Sequence, residues 1–195
     1  MTLVMVSAVA SGAAHARGKR ISATVAGPYN LKVDYSKTLE EMVVSGDYDW
    51  TGYGGWEKNF MVVGTGMQVF KVSVVKFDRE LETPKVLDEL WKRNFRAAYL
   101  EHLLAFGGAY PEEQGKCSIV ALGAPGAEII GDEREMVEEF DSHGKVHYSL
   151  PPVIIDQVVG YLHVNYRGRA LDQLPFDGPS REGWSEEYCF LAIKK

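Results

Sequence analysis

Alternating apolar and polar residues predict one strand most clearly, over residues 67–77. One face of this strand would carry Phe70, Val72 and Val74, and the other would carry the more mixed set Val69, Lys71, Ser73 and Val75. A short apolar run at residues 60–63 comes before it, and the turn sequence Gly64-Thr65-Gly66 separates the two runs. The pattern therefore predicts a hairpin of these two strands.

Near-continuous apolar runs at residues 117–122 and 188–193 predict two further strands. Because both faces of such a run are apolar, we expect the strand at 117–122 to be central in a sheet. Residues 31–34 predict a short strand that follows Gly27-Pro28.

The segment before the last strand gives a mixed pattern. Residues 136–140 and 145–150 predict a hairpin around Asp141-Ser142-His143-Gly144. Residues 153–166 fit either a strand or a helix, whereas the prolines and glycines of residues 167–185 predict a loop.

Two short helices are predicted from their starting residues. Thr38 and Glu41 have capping-box spacing, and Gly46 would end the helix that they begin. Thr83 as the N-cap and Pro84 in the first turn predict the start of a second helix.

A third helix is predicted over residues 98–106, with Gly107-Gly108 as its end and one more helical turn at residues 110–113. Strands and helices in this order are typical of an α+β fold. We therefore expect a single α+β domain over residues 29–195, with two or three short helices packed on a mostly antiparallel sheet.

The N-terminal segment leaves two interpretations open. Residues 1–16 are apolar and end in Ala14-His15-Ala16, like a short signal peptide with its cleavage site. However, no Lys or Arg precedes the apolar stretch, and Arg17, Lys19 and Arg20 follow it. We favour an extension over residues 1–28 in a cytoplasmic protein, and the alternative is an exported protein with a cleaved signal peptide.

The composition is that of a globular chain. Of the 195 residues, 46% are apolar and 25% charged, which excludes disordered, collagen-like and coiled-coil proteins. The net charge is −6, and the longest basic run is Arg17-Gly18-Lys19-Arg20, so we expect no nucleic-acid partner. No apolar run reaches the roughly 18 residues of a membrane span, so we expect an acidic, soluble protein without a membrane partner.

The two cysteines, Cys117 and Cys189, lie in apolar runs. Two cysteines are too few for a disulfide framework. We expect reduced, buried thiols, with a bridge between neighbouring strands or a reactive thiol as alternatives.

A loop rich in aromatic residues and glycine, residues 47–56, is the strongest candidate for binding. Its large side chains are Tyr48, Trp50, Tyr53 and Trp56. Aromatic side chains on loops are common binding anchors, so this loop predicts a surface for a protein partner. The alternative is that Trp50 and Trp56 cover the neighbouring hairpin.

Asp141, His143 and His147 form the only candidate metal cluster. On one strand His143 and His147 would stand about 13 Å apart, so they could share a metal only if the turn folds back. The alternative is two exposed histidines on a hairpin. The adjacent carboxylates along the chain predict solvated surfaces, and no motif indicates a cofactor.

Four segments of the chain, residues 34–50, 95–114, 118–123 and 189–195, resemble a group of bacterial proteins with no assigned activity. The group carries the pattern "TLEELLAFG…YPELQ…IVALGS" and ends in "RFLAVRK", which the last three of these segments match. The resemblance covers roughly residues 31–123 and 184–195, and it carries over no functional residue. Where the group usually has Ala-Thr, this chain has Ala98-Tyr99. Residues 124–183 form a segment that is longer than the corresponding one of the group and unlike it.

These observations favour a non-catalytic binding module. An enzyme with a site assembled from distant residues is the first alternative, and its residues would be Asp141, His143, His147 and Arg167. The second alternative is a ligand-binding module that resembles C-type-lectin-like domains, in which the terminal strand lies beside the N-terminal strand.

Overall fold

The computed structural model describes residues 20–51, 60–62, 64–123, 126–130, 137–140, 146–149, 154–180 and 183–195. The strands in these residues are β1 (Ala23–Asp34), β2 (Met67–Phe77), β3 (Phe95–Ala97), β4 (Ser118–Val120), β5 (Gly126–Ile130), β6 (Val137–Phe140), β7 (Val146–Ser149), β8 (Ile154–Asn165), β9 (Gly168–Pro175) and β10 (Tyr188–Lys194). The helices are α1 (Leu39–Ser45), α2 (Thr83–Lys92), α3 (Leu100–Ala109) and a 3₁₀ helix (Pro111–Gly115).

Eight of the described strands form one sheet. Its main path is β1-β2-β10-β4-β8-β5, with β3 paired to β10 and β9 paired to β8. Every pair is antiparallel except that of β10 and β4. The strands β6 and β7 form a separate antiparallel pair, which confirms the predicted second hairpin. The predicted α+β fold with a mostly antiparallel sheet is therefore confirmed.

The sheet is buried on both faces, which gives the protein two cores. On one face, α1 and α3 pack through Met42, Leu103 and Phe106. On the other face, α2 and Trp184 pack against Phe190. Burial on both faces explains why β10 and β4 are nearly continuous apolar runs.

The predicted hairpin of residues 60–63 with 67–77 is wrong. Residues 60–62 lie outside any strand, and β2, which has the predicted bounds, pairs with β1 from Asp34–Met67 to Ala23–Phe77. The longer strand β1 offers β2 many more backbone hydrogen bonds than a four-residue run can.

The boundary of the extension at residue 28 is also wrong, because β1 already begins at Ala23. Pro28 does not end this strand, since β1 is an edge strand and its register with β2 shifts between Ala26 and Tyr29. At such a position the lack of a backbone N–H in proline removes no hydrogen bond from the sheet.

The helices differ from the predictions where distant residues intervene. The capping box of Thr38 and Glu41 is present. Thr83, in contrast, lies inside α2 instead of capping it: its hydroxyl donates to Phe176 O at 2.6 Å and accepts from Trp184 Nε1 at 2.8 Å. The prediction that Gly107-Gly108 ends α3 is wrong as well, since the helix continues to Ala109.

The loop predicted for residues 167–185 contains a strand. Residues 154–165 form β8, which resolves their ambiguity, and β9 pairs with β8 from Asn165–Gly168 to Val158–Pro175. Pro175 is tolerated because β9 is an edge strand, paired with β8 alone among the described strands.

The prediction of reduced thiols is wrong, because Cys117 and Cys189 form a disulfide. The parallel pairing of β4 with β10 places their Cα atoms 6.1 Å apart, within the range that a disulfide spans. The terminal strand β10 lies between β2 and β4, whereas the C-type-lectin-like resemblance implies a place beside the N-terminal strand. No helix in the described ranges is both long and apolar enough to cross a membrane.

Candidate functional site

The first part of the aromatic loop, residues 47–51, lies against the start of β9. The N–H groups of Asp49 and Trp50 donate to Arg169 O at 2.9 and 3.3 Å, and Leu171 N–H donates to Trp50 O at 3.0 Å. Trp50 therefore forms an isolated parallel bridge with Ala170. These bonds fix the backbone beneath the Trp50 ring.

Arg169 fastens this segment to the rest of the protein. Its guanidinium donates to Gln114 Oε1 at 3.0 Å and to Gly107 O at 2.6 Å. It also donates to the backbone oxygens of Gly46 and Asp47. A single side chain thus links the ends of α1 and α3 to the loop.

Tyr48 packs inward, beneath Arg169. Its ring centroid lies 5.3 Å from the Arg169 guanidinium, and its hydroxyl donates to Leu104 O at 3.3 Å. Burial raises the pKa of Tyr48 well above its ordinary value, so the hydroxyl stays protonated. Gly107 gives the ring room, because a Cβ there would collide with the Tyr48 hydroxyl.

The turn between β8 and β9 is set by two hydrogen bonds from backbone N–H groups to side chains. Asn165 Oδ1 accepts from Arg167 N–H at 2.8 Å, and Asp49 Oδ2 accepts from Arg169 N–H at 2.7 Å. Gly168 has a φ of +116°, and a Cβ there would overlap the Asp49 carboxylate. The turn therefore requires glycine at this position.

At this turn the exposed side chains of Tyr166 and Arg167 lie beside the half-buried Trp50, and we call these three residues the aromatic–arginine surface. The Arg167 guanidinium lies 5.7 Å from the Trp50 ring centroid and 5.2 Å from that of Tyr166. Its Nε donates to the Tyr166 hydroxyl at 3.0 Å. Tyr166 is 89% exposed, whereas Trp50 is half-buried. Trp, Tyr and Arg are the residue types that dominate binding hot spots.

The structure brings only part of the predicted binding loop to this surface. Trp50 lies in it and Tyr48 lies beneath it, while Tyr53 and Trp56 lie outside the described residues. Arg167 was a candidate only for the enzyme hypothesis, and Tyr166 was missed. The short turn sequence Asn165-Tyr166-Arg167-Gly168 could have revealed the hairpin that exposes Tyr166.

The candidate metal cluster is only partly described. Asp141 and His143 lie outside the described residues, and His147 lies in β7 opposite Glu139. Elsewhere in the described ranges, no group of three His, Cys, Asp or Glu side chains is arranged to hold a metal ion.

A second polar cluster lies inside the protein around His102 of α3, which is 1% exposed. Tyr99 N–H donates to His102 Nδ1 at 3.3 Å, which leaves the ring proton on Nε2, 3.2 Å from the Tyr35 hydroxyl. Burial, aided by the positive charge of Arg96, lowers the pKa of His102 to about 4. The ring is therefore neutral at pH 7, with a partner for each nitrogen.

Comparisons with protein-family models, curated proteins and solved structures found no match to this chain. The resemblance to the bacterial group therefore stays a prediction, and functional inference depends on the geometry of the chain itself.

Proposed function

We propose that this protein is a non-catalytic binding module that recognises a protein partner through the aromatic–arginine surface. The observation that carries this proposal is the contact of the Arg167 guanidinium with the rings of both Trp50 and Tyr166 at an exposed turn. Such side chains offer large contact area together with a directional hydrogen-bond donor.

The surface is held in place before any partner arrives. Trp50 is fixed by backbone bonds to β9, and Arg167 by its bonds to Asn165 and Tyr166. A partner would therefore order few additional groups on binding, which lowers the entropic cost of association.

The buried His102 lacks the properties of a general base. A general base needs a nitrogen within reach of the substrate and a pKa near the working pH. His102 has a pKa of about 4, and both of its nitrogens are engaged with Tyr99 and Tyr35. Its geometry is that of a residue that stabilises the start of α3.

We further propose that the protein is exported and that residues 1–16 act as a signal peptide. The Cys117–Cys189 disulfide supports this proposal, because disulfides persist in oxidising compartments. N-terminal sequencing of the mature protein from its native cells tests it: a start at Arg17 supports export, and an intact Met1 contradicts it.

The binding proposal is tested by comparing variants in a capture experiment. The immobilised protein should retain a specific partner that the Tyr166→Ala and Arg167→Ala variants lose, while the thermal midpoint of each variant stays unchanged. Val44→Ala is the matched control, since Val44 is 76% exposed and lies on α1. Equal capture by all four proteins would refute the proposal.

A further inference from the structure

Basic residues from distant parts of the chain meet at the C-terminal end of α2. Arg93 donates to Ile21 O at 2.7 Å, which holds Arg20 beside this end of the helix. Lys195 N–H donates to Asn94 O at 3.2 Å. We call the resulting cluster the basic surface; it consists of Arg20, Lys92, Arg93, Lys194 and Lys195 around Trp91.

Two of these cations are neutralised by carboxylates on the same helix. Lys92 Nζ lies 2.6 Å from Asp88 Oδ2 and 3.1 Å from Glu89 Oε1, and Arg93 pairs with Glu89. Arg20, in contrast, forms no side-chain hydrogen bond or ion pair with any described residue.

The two lysines at the end of β10 also lack a carboxylate partner among the described residues. Lys194 Nζ lies 4.8 Å from the Phe95 ring centroid, and Lys195 Nζ lies over the Trp91 ring. Together with Arg20 they leave this end of the protein positive, although the whole chain carries a net charge of −6.

Trp91 projects from the middle of this positive region. It is 68% exposed, which is unusual for the largest apolar side chain. At the same end of α2, a surface cleft of about 420 Å³ is lined by Arg20, Lys92 and Arg93 together with Ile21 and Glu89. Of its three cations, Arg20 is the one without a carboxylate partner among the described residues, and the Trp91 indole offers apolar area at the same end of the helix.

We propose that the basic surface binds peripherally to an anionic lipid bilayer, with phosphate headgroups in the cleft and Trp91 at the level of the headgroups. Indole rings favour this interface because one end is apolar and the N–H stays hydrated. Lysine stems can lie along apolar surface while their ammonium groups reach the phosphates. A folded acidic protein could also contact the basic residues, but it would need an apolar pocket to accept the exposed Trp91 side chain.

The charge of the rest of the chain sets the orientation of the bound protein. An anionic membrane attracts this positive end, while the net charge of −6 on the whole chain opposes binding in other orientations. Binding should weaken steeply with salt, since exposed charges are screened over about 8 Å at physiological ionic strength.

The test is sedimentation of the full chain with vesicles of equimolar phosphatidylcholine and phosphatidylglycerol, beside vesicles of phosphatidylcholine alone. We expect binding to the anionic vesicles only. Lys194→Gln with Lys195→Gln should weaken it roughly thirty-fold, at about 1 kcal/mol per cation. The control is Lys32→Gln with Lys37→Gln, which removes the same two positive charges from a different place, beside α1. It should leave binding nearly unchanged.

Trp91→Ala should weaken vesicle binding about ten-fold, because it removes apolar burial without changing charge. Absence of binding to anionic vesicles would overturn the proposal, and so would equal losses in the two lysine double variants. Binding to polyglutamate or to a soluble polyphosphate without binding to vesicles would also overturn it, because the surface would then recognise a soluble polyanion.

Discussion

Removal of the Cys117–Cys189 disulfide should destabilise the protein strongly. The bond joins the residue before β4 to β10, across the parallel pair near the centre of the sheet. Replacing both cysteines by alanine leaves the backbone pairing of the two strands possible. The loss should therefore reflect mainly the freedom that the unfolded chain regains.

The magnitude follows from the length of the closed loop. The cysteines are separated by 72 positions, and the chain-entropy relation gives about 4 kcal/mol for a loop of this length. Cys189 is 2% exposed, so loss of its sulfur adds about 1 kcal/mol of packing energy. A typical domain has only about 5–15 kcal/mol of stability in total.

Urea unfolding, followed by far-UV circular dichroism, measures this effect. The Cys117→Ala and Cys189→Ala double variant should unfold at a much lower urea concentration than the oxidised wild-type protein. A reductant should lower the midpoint of the wild type and leave the double variant unchanged, which is the internal control. A loss below about 1 kcal/mol, or no response of the wild type to reductant, would refute the reasoning.

Lowering the pH from about 6.5 to 4 should reduce the free energy of unfolding by up to about 3 kcal/mol, because the unfolded chain protonates His102 while the folded chain, with its lowered pKa, does not. Urea titrations at several pH values measure this loss; it should flatten below the folded pKa, and His102→Gln should lack it. Gly168→Ala should cost about 1–3 kcal/mol because of its positive φ; a thermal shift equal to that of Gly115→Ala, which has open space for a Cβ, would contradict this. Thr83→Val should cost about 1–3 kcal/mol by leaving the buried Trp184 N–H unpaired, whereas Thr83→Ser should restore most of that stability in the same thermal assay.

The sequence predicted those elements whose signals are local. The bounds of β2 follow from its alternation, and α1 follows from the contacts of Thr38 with Glu41, three residues away. Thr83 misled the prediction because its partners, Phe176 and Trp184, are about a hundred positions away. A hydroxyl before a helical pattern looks like a cap until those partners are known.

The rest of the fold depends on strand order, which the residue pattern leaves open. The disulfide exists because β4 and β10 are neighbours, and no spacing between the two cysteines indicates that. The candidate site also depends on which strands and loops are neighbours in the fold. Trp50 was recognised as a binding candidate, but its place beside Arg167 and Tyr166 depends on the bridge to β9.

The central claim is that the aromatic–arginine surface contacts a protein partner. Site-specific photo-crosslinking in the native cells tests it most directly, with the photoreactive residue in place of Tyr166 and, as the control, in place of Val44. The account predicts a discrete crosslinked product from position 166 and none from position 44. Absence of a product at position 166, or the same product from both positions, would contradict the account.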